Sequence, residues 1–448
     1  MRVLALVDGE HYPPTTTWGL ASARADGHEV VACLFVGGTE KVRAGGPPDL
    51  GEVPVIPAGN DPAGALTAAI REHAPEAVLD LSDEPVLGYR ERMLLAAVSL
   101  VAGVPYLGSD FRLEPAISGP PLAAPALAVI GTGKRTGKTA IAGEAARAAA
   151  EAGLRPVIVA MGRGGPPAPQ VAAAGSVTVD TLTDLAAEGL HAASDYLEDA
   201  ITTGLTTVGA RRCGGGLAGR PFVSNVRQAA ELAVGSGAGL VLLEGSGSAL
   251  PPVPWDAGVL VCPASAPPEY LGGYLGPYRL LLSDLVVFTM GRSPDGGPEN
   301  LAALRSQVTR LRPDARIVVT DFVPTPLEDV KGKKVLFATT ASSAAGPGLV
   351  SALESNHGCE VVAVTHRLSD RAGLAAEIDA APAFEVLLTE LKAAAIDVAA
   401  ERARERGATV VFADNRPETI DGDGDARDLL LDAAKLAVER GAERTRTE

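Results

Sequence analysis

The chain is predicted to be an α/β protein of parallel sheets covered by helices, and three observations predict it. Short apolar, strand-like runs alternate with Ala-rich, helix-like stretches along the sequence. Apolar residues make up 46% of the chain and aromatics only 4%, so the cores must be mostly Ala, Val and Leu. Such residues suit helices packed on parallel strands. At 448 residues the chain also exceeds one ordinary domain. Three regions are expected: an N-terminal open, Rossmann-like α/β unit over 1–120, a parallel-sheet unit over 121–325, and a C-terminal α/β region over 326–448.

In the first region, 2–7, 29–36 and 77–81 read as strands, and 18–26 and 61–73 as helices. Ligands of such sheets bind beyond the carboxyl ends of the strands. Those ends carry Asp8-Gly9-Glu10-His11, Gly37-Gly38-Thr39-Glu40-Lys41 and Ser82-Asp83-Glu84-Pro85, which makes Asp8, Glu10, His11 and Glu84 candidate substrate-binding residues. Arg90 and Arg92 follow and read as a helix face. The Pro-rich stretch 114–125 reads as a linker. Strands are then expected at 126–130, 156–160, 239–243, 258–262 and 285–289. A third stretch opens near Lys331 with strands at 334–338 and 360–365, a long helix around 383–405 and a strand at 409–413. It is either a separate domain or the completion of a larger sheet. The final residues are expected to fray.

Between the strand at 126–130 and an Ala-rich helix lies Gly131-Thr132-Gly133-Lys134-Arg135-Thr136-Gly137-Lys138-Thr139. Glycines let backbone N–H groups curl around phosphate oxygens, and the helix N-terminus adds partial positive charge. Lys138 can reach the β and γ phosphates, and the Thr139 hydroxyl can ligate Mg²⁺. This is a P-loop, and the region is read as a P-loop NTPase domain that binds ATP. The usual pattern places Gly five residues before Gly137, where Thr132 stands here, and Gly131 comes one residue earlier. That spacing resembles the dethiobiotin synthetase branch of P-loop enzymes. The switch-type ATPases of that branch carry a further lysine at the position of Gly133, so a partition-type switch is disfavoured. The strand at 239–243 ends in Glu244, and a carboxylate there is placed to join Thr139 at the metal. Dethiobiotin synthetase has a similar Glu-Gly segment. FTMGRS follows 285–289 where a guanine-recognition signature would stand, so adenine is favoured.

Two further Gly-rich segments carry arginine: Met161-Gly162-Arg163-Gly164-Gly165, and 207–216 with Arg211 and Arg212, which reads as a flexible closing lid. Arginine forks match phosphate, and flanking glycines let the backbone approach. With Lys134, Arg135 and Lys138 this makes six cations near one site. ATP alone rarely needs so many, so the second substrate is expected to be phosphorylated.

Together these segments resemble the cyclic 2,3-diphosphoglycerate synthetase family. The resemblance is carried by VDGEHYPP (7–14), FVGGTEK (35–41), GTGKRTGKTA (131–140), MGRGGPP (161–167), VGARRCGGGLAG (208–219), EGSGSALPPV (244–253) and ELKAAAIDV (390–398), in order along almost the whole chain. It implies an ATP-dependent ligase that closes a phosphoanhydride ring on 2,3-diphosphoglycerate. It also implies Mg²⁺, potassium stimulation and a homodimer. Lys138, Arg163, Arg211 and Arg212 are then the expected catalytic groups, with Thr139 and Glu244 at the metal. Few Lys and much Ala and Arg (31 Arg against 8 Lys) depart from thermophilic members. The alternatives are a 2-phosphoglycerate kinase, another ATP-dependent ligase, or a nucleotide-switched regulatory protein.

A net charge of −16 argues against nucleic-acid and acidic-membrane partners. The four cysteines form no CxxC pair, so neither a zinc site nor a disulfide framework is expected. A short apolar N-terminal run and the lack of any bilayer-length segment lead to the expectation of a cytoplasmic protein.

Overall fold

The computed structural model describes residues 1–42, 47–188, 192, 194–391 and 395–447. Its first unit contains β1 (Arg2–Val7), α1 (Pro13–Ala25), β2 (Glu29–Phe35), β3 (Val55–Pro57), α2 (Pro62–His73), β4 (Ala77–Asp80), α3 (Tyr89–Val101), β5 (Tyr106–Leu107) and β6 (Arg112–Leu113). The strands form one sheet in the order β3-β2-β1-β4-β5-β6, parallel except for the β5–β6 pair. The order reverses between β1 and β4, where the polar turns after both strands meet. β1 is apolar along nearly its whole length because both its faces are covered. α2 begins where Asp61 accepts the Gly64 N–H (3.0 Å) and Pro62 supplies a preset φ. α1 starts at Pro13 rather than at Trp18, since paired prolines are tolerated in a first turn, where no N–H is needed.

The second unit runs β7 (Ala126–Gly131), α4 (Lys138–Glu151), β8 (Pro156–Gly162), β9 (Gln170–Ala172), α5 (Val179–Ala187), α6 (Asp195–Thr203), β10 (Thr207–Cys213), β11 (Val223–Ser224), α7 (Val226–Gly235) and β12 (Leu240–Glu244). It continues with β13 (Ala257–Pro263), α8 (Glu269–Gly272), α9 (Gly276–Leu281), β14 (Leu285–Thr289), α10 (Pro298–Leu311) and β15 (Arg316–Pro326). The remainder holds β16 (Lys334–Ala338), α11 (Gly346–His357), β17 (Glu360–Thr365), α12 (Arg371–Ala380), β18 (Val386–Glu390), a π-helical turn at Ala395–Ala400, α13 (Glu401–Glu405), β19 (Thr409–Gly422) and α14 (Ala426–Thr447). Of the two arrangements left open for this stretch, the strands adopt the larger sheet. The order is continuous, β11-β10-β8-β12-β7-β13-β14-β15-β19-β18-β16-β17, and the long antiparallel β15–β19 pair joins the two halves.

Three expectations need correction. Residues 207–213 are not a flexible lid but the strand β10, paired with β8 from Thr207 to Arg211. Its Gly209 is required because a Cβ there would lie 2.6 Å from the Tyr196 ring. The expected helix at 383–405 starts late. Val386–Glu390 is a strand between β16 and β19, helical structure is described only from Ala395, and 392–394 lie outside the described residues. The final residues from Arg440, expected to fray, instead continue α14 to Thr447. Its Arg440 makes a forked pair with Asp284 (3.0 Å each) and its Arg444 bonds Asp256.

α4, which carries the phosphate loop, is enclosed on all sides. Ile141, Ala142, Ala145, Ala146 and Ala149 share a core with β7, β12, β13 and with Leu430, Ala434 and Ala437 of α14. Alanines allow that close approach. The 114–125 stretch is irregular but packed: the Ala116 N–H donates to the buried Tyr278 hydroxyl (3.2 Å), and Arg227 donates to the Ser118 and Pro120 carbonyls. It fastens the first unit to the second. Among the described residues no helix is long and apolar enough to cross a membrane.

Candidate active site

The carboxyl ends of β7, β8, β10 and β12 meet at one place. β7 stops at Gly131, where a Cβ would lie 2.8 Å from both Lys138 Cδ and Thr136 Oγ1. This contact accounts for the glycine standing there. Gly137 has φ +86° and its missing Cβ leaves room for the Phe322 ring, so the chain can turn directly into α4. Lys138 Nζ donates to the Gly133 carbonyl (2.7 Å) and to Thr136 Oγ1 (3.2 Å), folding back across its own loop. Thr289 Oγ1 donates to the Thr136 carbonyl (2.8 Å) and pins the loop to β14. Burial pulls the Lys138 pKa down to about 8, against the attraction of Glu244 and Asp195. Arg135 has φ +61°, an unusual conformation for a residue with a side chain. Lys134 and Arg135 are exposed beside it.

At the end of β12, the buried Glu244 carboxylate accepts the Thr139 hydroxyl at Oε1 (2.7 Å) and shares a hydrogen bond with Asp199. Burial raises the Glu244 pKa to about 7, and the nearby Asp195 carboxylate adds to the rise. Asp195 opens α6, with Oδ2 only 3.4 Å from where a Cβ on Gly162 would be. One turn on, Asp199 is fully buried against Glu244; burial and the Glu244 charge push its pKa far up, and the two carboxyl groups share a hydrogen bond. The Thr139 hydroxyl and the Glu244 carboxylate lie side by side as the hard oxygen pair that a P-loop Mg²⁺ would use, and among the described residues no cluster of three or more His, Cys, Asp or Glu is arranged to hold a metal ion. Asp195 and Asp199 were missed from sequence. Their i, i+4 spacing, which puts both on one helix face, was the available signal.

The arginines line a cleft of about 460 Å³ with Gly165, Cys213 and Asn225. Arg163 is exposed and turns its guanidinium toward Gly247, whose hypothetical Cβ would lie 2.7 Å from Arg163 Nη2 and 3.4 Å from Arg212 Nη2. Arg212 Nη2 donates to the Ser246 carbonyl (2.8 Å) and hydroxyl (3.3 Å), and Nη1 to the Gly214 carbonyl (2.7 Å). Burial and the neighbouring Arg163 lower the Arg212 pKa. Arg211 Nε is tied to the Gly165 carbonyl (2.8 Å), and its backbone N–H donates to Asn225 Oδ1 (2.6 Å). Two guanidiniums facing one glycine repel each other until an anion enters. Ser246, inside the EGSGSALPPV segment, and Asn225 orient these arginines but were given no role from the sequence.

The N-terminal candidates meet one another but not this cleft. Asp8 is buried, and its Oδ1 accepts the Glu10 and His11 N–H groups (3.0 and 3.2 Å) and contacts His11 Nδ1 (2.9 Å). Its Oδ2 accepts the Asp83 N–H. Asp8 thus clasps the turns after β1 and β4, and a hydrogen bond shared with Glu40 raises the Glu10 pKa. Glu84 lies in the same turn, exposed. Arg92 is turned inward, paired with Asp80 (2.9 Å) and bonded to the Ser82 carbonyl. Among the described residues, none of these side chains is hydrogen-bonded to the phosphate loop.

A strand, a glycine loop and a helix opening on Lys138-Thr139, with Glu244 on a neighbouring strand, define a P-loop nucleotide-binding protein. Family models assign the particular branch: the P-loop domain of cyclic 2,3-diphosphoglycerate synthetase matches residues 126–321, its N-terminal domain 2–114 and its C-terminal domain 326–416. The chain is 46% identical to the cyclic 2,3-diphosphoglycerate synthetase of Rubrobacter xylanophilus, covering 100% of this chain and 99% of the relative. Its counterpart in Methanothermobacter thermautotrophicus is 41% identical over 98% of this chain and 96% of the relative, and that of Thermococcus kodakarensis 41% over 99% and 100%. The chain belongs to the cyclic 2,3-diphosphoglycerate synthetase family, as its motifs implied.

Proposed function

We propose that the protein uses ATP to close the phosphoanhydride ring of 2,3-diphosphoglycerate, releasing ADP and phosphate. In the first step one substrate phosphate oxygen attacks the γ-phosphorus and ADP leaves. In the second, an oxygen of the neighbouring phosphate attacks the substrate-bound phosphorus of that new anhydride, and inorganic phosphate leaves as the ring closes. Both nucleophiles are already anionic, so the protein has to position charges rather than generate a base.

Lys138, with the loop N–H groups, holds the β and γ phosphates, and Lys134 and Arg135 stand at the loop's exposed side. Thr139 and Glu244 would hold Mg²⁺, which would neutralise phosphate charge when bound. Arg163, Arg211 and Arg212 draw the two substrate phosphates together against their repulsion. Asp8, Glu10, His11 and Glu84 are proposed to complete the substrate site only if the first unit closes over it.

The observation that supports this reading is the closeness of two anion sites: Lys138 of the phosphate loop feels the charges of Arg163 and Arg212 from the arginine cleft. The test is phosphorus NMR of the purified protein with ATP, Mg²⁺ and 2,3-diphosphoglycerate. Phosphoanhydride resonances of a cyclic product and stoichiometric phosphate are expected. Lys138→Ala should cut turnover by at least about a hundredfold. Full activity of that variant, or a phosphomonoester as the sole product, overturns the assignment.

A further inference from the structure

Behind the arginine cleft lies a cation that the proposed reaction does not use. Arg279, on α9, is 7% exposed. Its Nε and Nη2 both donate to the Ser248 carbonyl (3.0 and 2.7 Å), and its Nη1 donates to the Leu275 carbonyl (3.0 Å). Among the described residues no carboxylate is paired with it. Burying a charge this way is costly, and a neutral side chain could fill the same volume. The charge therefore calls for a reason beyond packing.

That reason lies in what the fork grips. Ser248 belongs to the 245–250 turn, which carries both partners of the substrate-facing arginines: Ser246, bonded to Arg212, and Gly247, facing Arg163 and Arg212. From the other side the 214–220 loop rests on the same fork. A Cβ on Gly219 would lie 3.1 Å from Arg279 Nη2, and the Leu250 N–H donates to the Gly219 carbonyl (2.9 Å). A single guanidinium thus grips the 245–250 turn and packs against Gly219, which that turn holds in place through the Leu250 N–H. The preceding residue, Tyr278, is the buried anchor for the Ala116 N–H, so α9 is itself fixed.

We propose that Arg279 is a positioning residue for the diphosphate-binding arginines. It clamps the 245–250 turn so that Ser246 fixes Arg212 and Gly247 leaves space for Arg163. This rests on reading the cleft as the 2,3-diphosphoglycerate site.

Arg279→Met and Arg279→Lys separate the parts, because Lys keeps the charge but loses the fork. KM is measured separately for ATP and 2,3-diphosphoglycerate, alongside the melting temperature. Arg279→Met is expected to raise the 2,3-diphosphoglycerate KM about tenfold or more, with the ATP KM within about twofold of wild type. Arg279→Lys should fall between. An unchanged 2,3-diphosphoglycerate KM in either variant, or an equal rise for both substrates, overturns the proposal. Should Arg279→Met fail to fold, the Lys variant decides by the same two criteria. A wild-type protein that makes no cyclic product would defeat the proposed function alone. Calorimetric binding of 2,3-diphosphoglycerate, lost or retained in the variants, would still decide the role of Arg279.

Discussion

Glu244 and Lys138 sit in one pocket with pKa values displaced toward each other, Glu244 up to about 7 and Lys138 down to about 8. Burial dominates both shifts, since it penalises whichever form is charged. Metal binding needs the carboxylate, so below about pH 7 protons compete with Mg²⁺ at Glu244. Phosphate binding needs the ammonium, so above about pH 8 Lys138 loses the charge that holds ATP. The kcat/KM profile for ATP should therefore be bell-shaped with its limbs near those two values, because that parameter reports the free enzyme. Glu244→Gln should remove the acidic limb and raise the Mg²⁺ concentration for half-maximal activity at least about tenfold; an unchanged Mg²⁺ titration would remove Glu244 from the metal site. Sequence spacing identified Lys138, Thr139 and Glu244 because each lies beside a strand end that an apolar run reveals. It assigned no role to Asp195 or Ser246, whose importance comes from what folds against them.

At the scale of elements, α4 shows how a helix can be both buried and charged. Arg147 pairs with Asp414 of β19 (2.9 Å) and with Glu144 (2.8 Å), and Glu144 also meets Arg427 of α14. Every partner but Arg427 is nearly enclosed. Removing one member strands a charge in low dielectric, so Asp414→Ala should cost about 3 kcal/mol in denaturant unfolding, and the double variant Arg147→Met/Asp414→Leu should recover part of it. A cost below about 1 kcal/mol would mean that the pair is solvated. Strands with continuous Val-Leu runs were legible, but β10 and β18 were not. β10 carries Gly and two arginines, which read as a loop until its pairing with β8 is known. β18 sits in VLLTELKAAAIDV, whose Leu, Glu, Lys and Ala favour a helix. Pairing with β16 and β19 overrides that preference, because strand formation depends on a neighbour to bond with.

Across the whole molecule, the β15–β19 pair makes one sheet of what the sequence divides into two regions, and α14 closes it. Leu430, Ala434 and Ala437 fill the core beside α4, while Arg440 and Arg444 hold Asp284 and Asp256. Ending the chain before Ala426 should therefore leave an apolar face of the nucleotide-binding sheet bare. Loss of cooperative unfolding or of soluble expression is expected, whereas a truncated protein with unchanged Tm would show α14 to be dispensable. The sequence by itself determined the α/β class, the phosphate loop with its displaced first glycine, the strand ends that bear function, and the family. These are local patterns, written in consecutive residues and in the backbone freedom of glycine. Only the tertiary structure decided that Asp195 and Asp199 gather at Glu244, that Arg163 and Arg212 face one glycine, and that Arg279 stands behind them. Those contacts join residues distant in the chain, and charge acts through space, so no reading along the sequence could place them.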